Sequence, residues 1–144
     1  MFLGEYQHTL DAKGRVSLPA KFRNQLGGAV TVAQGLDKSL YVFRSEEYER
    51  FMADLTEKSD FNPKVREVRR FFASGAIEVP IDSAGRVSLT PKLRGWAELD
   101  KDVVVIGNGP RVEIWDARRW AEYNGATADN VEALAQELAE AGLL

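Results

Sequence analysis

The stretch at residues 11–23, DAKGRVSLPAKFR, occurs a second time at residues 82–94, as DSAGRVSLTPKLR. A shift of 71 residues aligns the two stretches, and eight of their thirteen positions are then identical. With one inserted residue the correspondence continues further along the chain, where Phe43 matches Trp115. The chain is therefore an internal duplication. Because a unit of about seventy residues is too small to bury a large core by itself, we expect the two copies to share one core.

The duplication predicts an α+β fold in which both copies belong to one intertwined domain. No long Gly, Ser or Pro-rich segment separates the copies, so a flexible linker is not expected between them. The predicted parts are a first copy, a bridging helix, a second copy and a C-terminal helix, at residues 1–58, 59–75, 76–124 and 125–144.

A tight turn between two short strands is predicted in each copy. In the first copy, Asp11 can accept hydrogen bonds from the backbone that follows it, and Gly14 can adopt a positive φ without steric cost. The runs at 6–10 and 16–18 on either side of this turn predict a local hairpin. Further strands are predicted from β-rich runs at residues 29–33, 40–43, 103–106 and 112–115.

Capping residues predict where the helices begin. In the second copy Thr90 can cap a short helix whose first turn holds Pro91, and in the first copy Pro19 is predicted at the first helical position. Longer helices are predicted behind three capping residues, which are Ser45, Asn62 and Asp116. A break at Gly125 is predicted before a last helix with an apolar stripe, near residues 128–141.

The charge of the chain is unevenly distributed. A net charge of −3 and a pI near 5.3 argue, on average, against a nucleic-acid partner. Residues 11–23, however, hold four basic residues against one aspartate and carry a net charge of +3, whereas acidic residues collect near residues 46–60 and in the tail. This segregation allows a local anion-binding surface on an acidic protein.

The cysteine content and the first ten residues of the sequence indicate in which cellular compartment the protein is expected. The chain has no cysteine, which excludes disulfides and thiolate chemistry and is typical of cytoplasmic proteins. The first ten residues, MFLGEYQHTL, contain neither a basic segment nor a long apolar run, so no signal peptide or membrane span is predicted. We expect a cytoplasmic protein that has no membrane partner.

The sequence offers no set of residues suited to catalysis. His8 is the only histidine, so neither a histidine-based metal site nor a catalytic triad can be assembled. The stretch Gly107-Asn108-Gly109-Pro110 lacks the Lys-Ser/Thr ending of a phosphate-binding P-loop. We therefore predict that the protein is not an enzyme and has no catalytic residues, metal site or cofactor.

The repeated Asp-x-x-Gly-Arg motif is the candidate functional feature. Its aspartates and glycines have ordinary turn-shaping roles, which we assign to four residues, Asp11, Gly14, Asp82 and Gly85. A turn does not require an arginine. A guanidinium that a carboxylate holds in place, however, presents paired N–H donors that match a phosphate or the edge of a guanine base. We therefore predict that DNA is contacted by five basic residues, Arg15, Lys13, Arg86, Lys21 and Arg23.

The opening MFLGEYQHTLDAKGRVSLPAKFR, the repeated DAKGR and DSAGR, and the overall length resemble the bacterial MraZ family. The family's D-x-x-x-R motif falls here on Asp11 with Arg15 and on Asp82 with Arg86. The resemblance implies two tandem swapped-hairpin repeats of the AbrB type, interleaved into one small β-barrel with flanking helices. It also implies a ring of several subunits that binds repeated DNA boxes and regulates the division and cell-wall gene cluster, including its own promoter, on the nucleoid.

Two questions stay open at this level. The same fold is also used by antitoxin-like modules that hold a protein partner, for which the acidic helices and tail would be the binding surface. The two motifs also differ, because Lys13 of the first copy corresponds to Ala84 and residues 82–94 carry a net charge of only +2. We therefore expect the first motif to contribute more to DNA binding than the second.

Overall fold

Eight short strands form the β structure of the protein, and β-branched residues recur in half of them. The computed structural model describes residues 1–144. The first copy contributes four strands, β1 Glu5–Thr9, β2 Arg15–Ser17, β3 Ala29–Gln34 and β4 Leu40–Arg44. The second copy contributes the corresponding four, β5 Ala76–Pro80, β6 Arg86–Ser88, β7 Asp102–Asn108 and β8 Arg111–Asp116.

Five α-helices accompany the strands, and a 3₁₀ turn at Leu36–Lys38 connects β3 to β4. The helices are α1 Ala20–Leu26, α2 Ser45–Thr56, α3 Pro63–Ser74, α4 Pro91–Trp96 and α5 Ala117–Glu140. None of them is both long enough and apolar enough to cross a membrane. The protein is thus a mixed α+β structure, as the duplicated pattern predicted.

The strands pair across the two copies. Six of them form one antiparallel sheet in the order β1-β7-β8-β4-β3-β5, and β2 and β6 form a separate two-stranded antiparallel sheet. The first strand of each copy therefore pairs with the third strand of the other copy. The six-stranded sheet is not closed, since β1 and β5 are its edges, and strand pairing does not confirm the predicted barrel.

The turn of the local hairpin predicted at residues 6–10 and 16–18 is present, but the predicted pairing of its two strands is wrong. A single bridge joins Leu10 to Val16, after which β1 and β2 enter different sheets. The reason lies in burial, because pairing β2 with β6 sets Val16 opposite Val87 and removes both side chains completely from solvent. Burying an aliphatic side chain contributes roughly 1.5–3 kcal/mol, which a solvent-exposed hairpin would not gain.

The main hydrophobic core draws its members from both copies, as expected for units that cannot fold alone. It contains eighteen buried residues, and valine is the most frequent among them. Phe22 of α1 and Leu93 of α4 occupy corresponding places in the two copies and are both buried in this core. The run at 103–106 is also buried throughout, so this strand is covered on both faces.

The predicted helix starts at Asn62, Thr90 and Asp116 are confirmed, whereas three other predictions need correction. Pro19 is the cap of α1 and lies one residue before its first turn, and α2 begins at Ser45 itself, with Arg44 as an N-cap that makes no side-chain hydrogen bond. The predicted break at Gly125 is wrong, because α5 continues through it. A glycine inside a helix costs only about 1 kcal/mol, and the alanine and glutamate that follow favour helix.

Candidate nucleic-acid interface

The turn of the first copy is organised by the carboxylate of Asp11. Its Oδ1 accepts hydrogen bonds from the backbone N–H groups of Lys13 and Arg15, both at 2.9 Å, and its Oδ2 accepts from Arg15 Nε at 2.7 Å. The backbone closes the same turn, since the Gly14 N–H donates to the Asp11 carbonyl at 3.0 Å. Gly14 has a φ of 78°, a conformation that favours glycine. We refer to residues 11–15 as the first tip.

The turn of the second copy reproduces this geometry. Asp82 accepts from the backbone N–H groups of Ala84 and Arg86, both at 2.9 Å, and from Arg86 Nε at 2.8 Å. Gly85 has a φ of 79°, within one degree of its counterpart. We refer to residues 82–86 as the second tip. In both copies the turn contains an aspartate that accepts backbone hydrogen bonds and a glycine with a positive φ.

The two tips lie at opposite ends of the ribbon formed by β2 and β6. In its register Arg15 is opposite Ser88 and Ser17 is opposite Arg86. Val16 and Val87 face the core, and side chains alternate along a strand, so these four polar residues lie on the outer face of the ribbon. Arg15 and Arg86 are diagonal neighbours in such a ladder, and residues in this relation typically lie about 7–8 Å apart.

Each tip is also tied to the strand of the other copy. The Leu18 N–H donates to the Gly85 carbonyl, and the Leu89 N–H donates to the Gly14 carbonyl, each at 2.9 Å. These bonds extend the ribbon by one residue beyond β2 and β6 at either end. The two arginines are therefore carried on a support that both copies hold together.

Both arginines keep hydrogen-bonding capacity for a ligand. Each uses its Nε for the aspartate of its own turn, and the terminal Nη atoms of Arg15 and Arg86 donate to no protein acceptor. Their side chains are 25% and 33% exposed. A guanidinium oriented through Nε presents its two Nη atoms as a fork that matches a phosphate or a guanine edge.

The remaining predicted residues do not all lie together. Lys13 is exposed at the first tip, and Lys21 is exposed on the first turn of α1. Arg23, in contrast, crosses to the second tip, where a Cβ added to Gly85 would lie 2.0 Å from its Nη1. Its Nε is buried without a hydrogen-bond partner. Arg23 therefore packs on the turn of the other copy, and only part of its side chain is exposed.

Arg94 is a residue of the site that the sequence prediction did not include. It corresponds to Arg23 in the duplication and packs in the same way on the first tip, since a Cβ added to Gly14 would lie 3.1 Å from its guanidinium. Its Nε donates to the Leu89 carbonyl at 3.1 Å. Arg94 could have been identified from the sequence, because it occupies the same position as Arg23 in the duplicated stretch. Each tip thus has an arginine of its own and one from the other copy beneath it.

Backbone hydrogen bonding lowers the pKa of both tip aspartates. The Arg15 N–H is the largest cause of the lowered pKa of the Asp11 carboxyl, and the Arg15 side chain acts in the same direction. The Arg86 N–H and side chain do the same for Asp82. A carboxylate that accepts several N–H bonds favours its charged form. Both tips are therefore held by ionised aspartates at neutral pH.

This lowering predicts a dependence of stability on pH. Because the folded pKa lies below the unfolded value of about 3.9, the two carboxylates contribute stability above that pH and lose it as the pH falls through the folded pKa. We expect the melting temperature of the wild type to drop more steeply below about pH 4 than that of the Asp11→Asn/Asp82→Asn variant. Melting curves recorded across this range check it. Asp54→Asn, at an exposed α2 position without an ion pair, is the control and should follow the wild type.

Two acidic residues are buried away from the tips, Glu113 on β8 and Asp116 at the start of α5. Glu113 on β8 accepts hydrogen bonds from Asn108, Arg111 and Trp115, all at 3.0 Å, and the Arg111 guanidinium lies 3.8 Å from the centre of the Tyr41 ring. Because its charge is paired and its oxygens are bonded, this group has a structural role. No group of three or more His, Cys, Asp or Glu residues is arranged to hold a metal ion.

The family model described as "MraZ protein, putative antitoxin-like" matches the chain twice, at residues 1–71 and at residues 72–141. The chain belongs to the MraZ family. The two matches meet within α3, shortly before the first strand of the second copy, and each match contains one tip. The double match agrees with the internal duplication and with the resemblance carried by the repeated motif.

Individual members of the MraZ family are similar to this chain over nearly its whole length. Three named "Transcriptional regulator MraZ" come from Syntrophomonas wolfei, Heliobacterium modesticaldum and Oenococcus oeni. They are 41%, 44% and 44% identical to it over 143, 138 and 141 residues. These alignments cover 99%, 96% and 97% of this chain and 100%, 96% and 98% of the relatives.

Proposed function

We propose that this protein is a sequence-specific DNA-binding regulator of transcription and not an enzyme. The observation that carries the proposal is the ribbon of β2 and β6, whose outer face presents Arg15 and Arg86 with unpaired Nη atoms. The DNA major groove admits a two-stranded β-ribbon, and arginine to guanine is its commonest specific contact. The names of the relatives, which call them transcriptional regulators, support the same assignment.

The proposal extends to the site of action and to the assembly. The protein would bind repeated boxes upstream of the division and cell-wall gene cluster, its own promoter included, and would be associated with the nucleoid. One protomer presents few exposed basic side chains at the tips, which limits its affinity. A ring of interleaved swapped-hairpin modules would bring several ribbons to repeated boxes, and such linkage raises avidity by about 10²–10⁴.

The direct test is a gel-shift titration on the DNA upstream of the gene, with a shuffled duplex of equal length and composition as the control. We expect binding to the upstream DNA at concentrations that leave the shuffled duplex free. Equal shifts on both duplexes would contradict sequence-specific binding. Retention of neither duplex at low salt would contradict DNA binding altogether.

The salt dependence of binding tests the multivalent part of the proposal. Each neutralised phosphate contributes about −0.9 to the slope of log K against log salt. A single protomer that contacted phosphates with four basic side chains would therefore give a slope of about −3.6. We expect a steeper slope for an assembly that engages several ribbons. Fluorescence anisotropy between low and physiological salt measures it, and a slope no steeper than about −3.6 would contradict multivalent binding.

A second candidate function is an antitoxin-like module that binds a protein. The family description and an exposed apolar stripe on the acidic end of α5 favour it. Substitution of Arg15 distinguishes the two functions, because it alters the ribbon and leaves the surface of α5 unchanged. Loss of DNA binding on substitution of Arg15, with α5 unchanged, would favour the regulator.

A further inference from the structure

The helices that follow the two copies differ in a way that leaves one of them unpartnered. After β4 the chain forms α2 and α3, which fold back on each other and on the sheet, with Phe51 and Phe72 ring centroids 5.0 Å apart. After β8 the chain forms the single helix α5, and only its first turns contact the sheet. In these turns the ring centroids of Trp120 and Tyr123 lie 5.2 Å and 4.9 Å from the ring centroid of Trp115.

The second half of α5 carries an apolar stripe in solvent. Val131, Leu134 and Leu138 follow one another at spacings of three and four residues, so they share one face of the helix. They are 48%, 38% and 43% exposed. Thr127 lines a cavity between α5 and the body of the protein, and the helix extends about 20 Å beyond it at 1.5 Å per residue. The chain itself provides no cover for this stripe.

A groove elsewhere on the surface has the complementary character. It lies between α3, the 3₁₀ turn and α4 and has a volume of about 450 Å³. Its apolar lining consists of five residues, Leu36, Val68, Phe71, Phe72 and Trp96. Trp96 is fixed by a hydrogen bond from its Nε1 to the Gly35 carbonyl at 3.0 Å, and Lys38 Nζ lies 3.8 Å from the centre of its ring. Asp37 and Glu67 complete the lining.

The charges of the two helices are opposite. Helix α3 carries a net charge of +3, from four basic residues against one glutamate, and these are Lys64, Arg66, Arg69, Arg70 and Glu67. From residue 128 to residue 140, α5 carries a net charge of −4 from four acidic residues and no basic one, and these are Asp129, Glu132, Glu137 and Glu140. Opposite potentials of this kind steer association and fix its register.

We propose that residues 128–140 of α5 dock in the groove beside α3 of a second copy of this chain. The stripe and the groove are different surfaces of one molecule, so the contact is heterologous, and heterologous contacts build rings when the rotation closes. The inference rests on the ring of the proposed function and names the surfaces that make it. Each protomer would use its stripe on one neighbour and its groove on the other.

The first test introduces two negative charges into the apolar stripe of α5. Leu134→Glu/Leu138→Glu is expected to lower the mass measured by light scattering at micromolar concentration to that of a 16.0 kDa monomer. Ala133→Glu/Gln136→Glu adds the same charge on the opposite face of the same helix and should keep the wild-type mass. Melting curves establish that both variants are folded. A monomeric wild type, or a stripe variant with the wild-type mass, would overturn the proposal.

The second test distinguishes this contact from any other. Val68→Glu, which alters only the groove, is expected to give a monomer as well. When it is mixed with the Leu134→Glu/Leu138→Glu variant, one intact stripe meets one intact groove, so we expect a one-to-one pair of twice the 16.0 kDa mass. Two monomeric variants that do not pair would overturn the proposal.

DNA binding is measured separately on a single box. If the stripe variant is monomeric and still prefers this box to a shuffled one, docking and DNA binding both stand. If the stripe variant keeps the wild-type mass and also prefers the box, the docking proposal fails and the regulator survives. If neither the wild type nor the variant prefers the box, the regulator fails whatever the assembly does.

Discussion

Replacement of Arg15 by alanine is expected to lower the affinity for upstream DNA by about five- to a hundredfold. One bidentate arginine contact to a base contributes about 1–3 kcal/mol of discrimination, and each 1.4 kcal/mol corresponds to a factor of ten. The loss is expected to grow with the number of ribbons that the DNA engages, since every protomer carries the same substitution. Anisotropy titrations on upstream and shuffled duplexes measure both the affinity and its specificity.

Arg86→Ala is the matched variant at the other end of the ribbon. Its guanidinium has the same support, with Nε bonded to Asp82 at 2.8 Å, but Ala84 stands where the first tip has the exposed Lys13. We expect the smaller loss for Arg86→Ala, because less positive charge surrounds it. Arg50→Ala, which removes an exposed arginine of α2, should bind like the wild type.

Melting temperatures separate a loss of contact from a loss of fold. The bond between Arg15 and Asp11 is local and its groups are partly exposed, so we expect all three arginine variants to melt close to the wild type. Unchanged DNA binding in Arg15→Ala would return this arginine to a purely structural role in the turn. Equal losses at Arg15 and Arg86 would show that the two tips reach DNA alike.

The largest effect on stability is expected from Phe22→Ala. Phe22 is completely buried and makes edge-to-face contacts with Phe2 and Tyr6, with ring centroids 5.6 Å and 5.3 Å away. Truncating a buried phenylalanine costs about 3–5 kcal/mol of unfolding free energy, because the lost burial is joined by the cavity left behind. Whole domains are stable by only about 5–15 kcal/mol. We expect a fall of about 10 °C or more in melting temperature.

Phe61→Ala is the control for the same chemical change. Phe61 is 94% exposed in the turn between α2 and α3, so its truncation should alter the unfolding free energy by no more than about 0.5 kcal/mol. Urea titrations of the two variants and the wild type give the comparison. A loss below about 1 kcal/mol for Phe22→Ala would contradict a core centred on this residue.

Features that depend on a few consecutive residues were predictable from the sequence. The caps at Thr90, Asn62 and Asp116 accept the expected backbone hydrogen bonds, and both aspartate turns form as the repeated motif indicated. Each of these rests on contacts within about four residues, which the local sequence contains in full. The similar backbone geometry of the two tips followed from the duplication, since similar segments adopt similar local geometry.

The choice of strand partners was decided only in the tertiary structure. The sequence by itself determined that two copies exist, that each has an Asp-Arg turn and where most helices begin. It did not determine that β2 pairs with β6, because that choice depends on burying Val16 against Val87, 71 residues away. The same holds for Arg23, whose neighbour is the Gly85 turn of the other copy. Local hydrogen bonds form wherever the motif occurs, whereas burial selects among distant partners according to the core they complete.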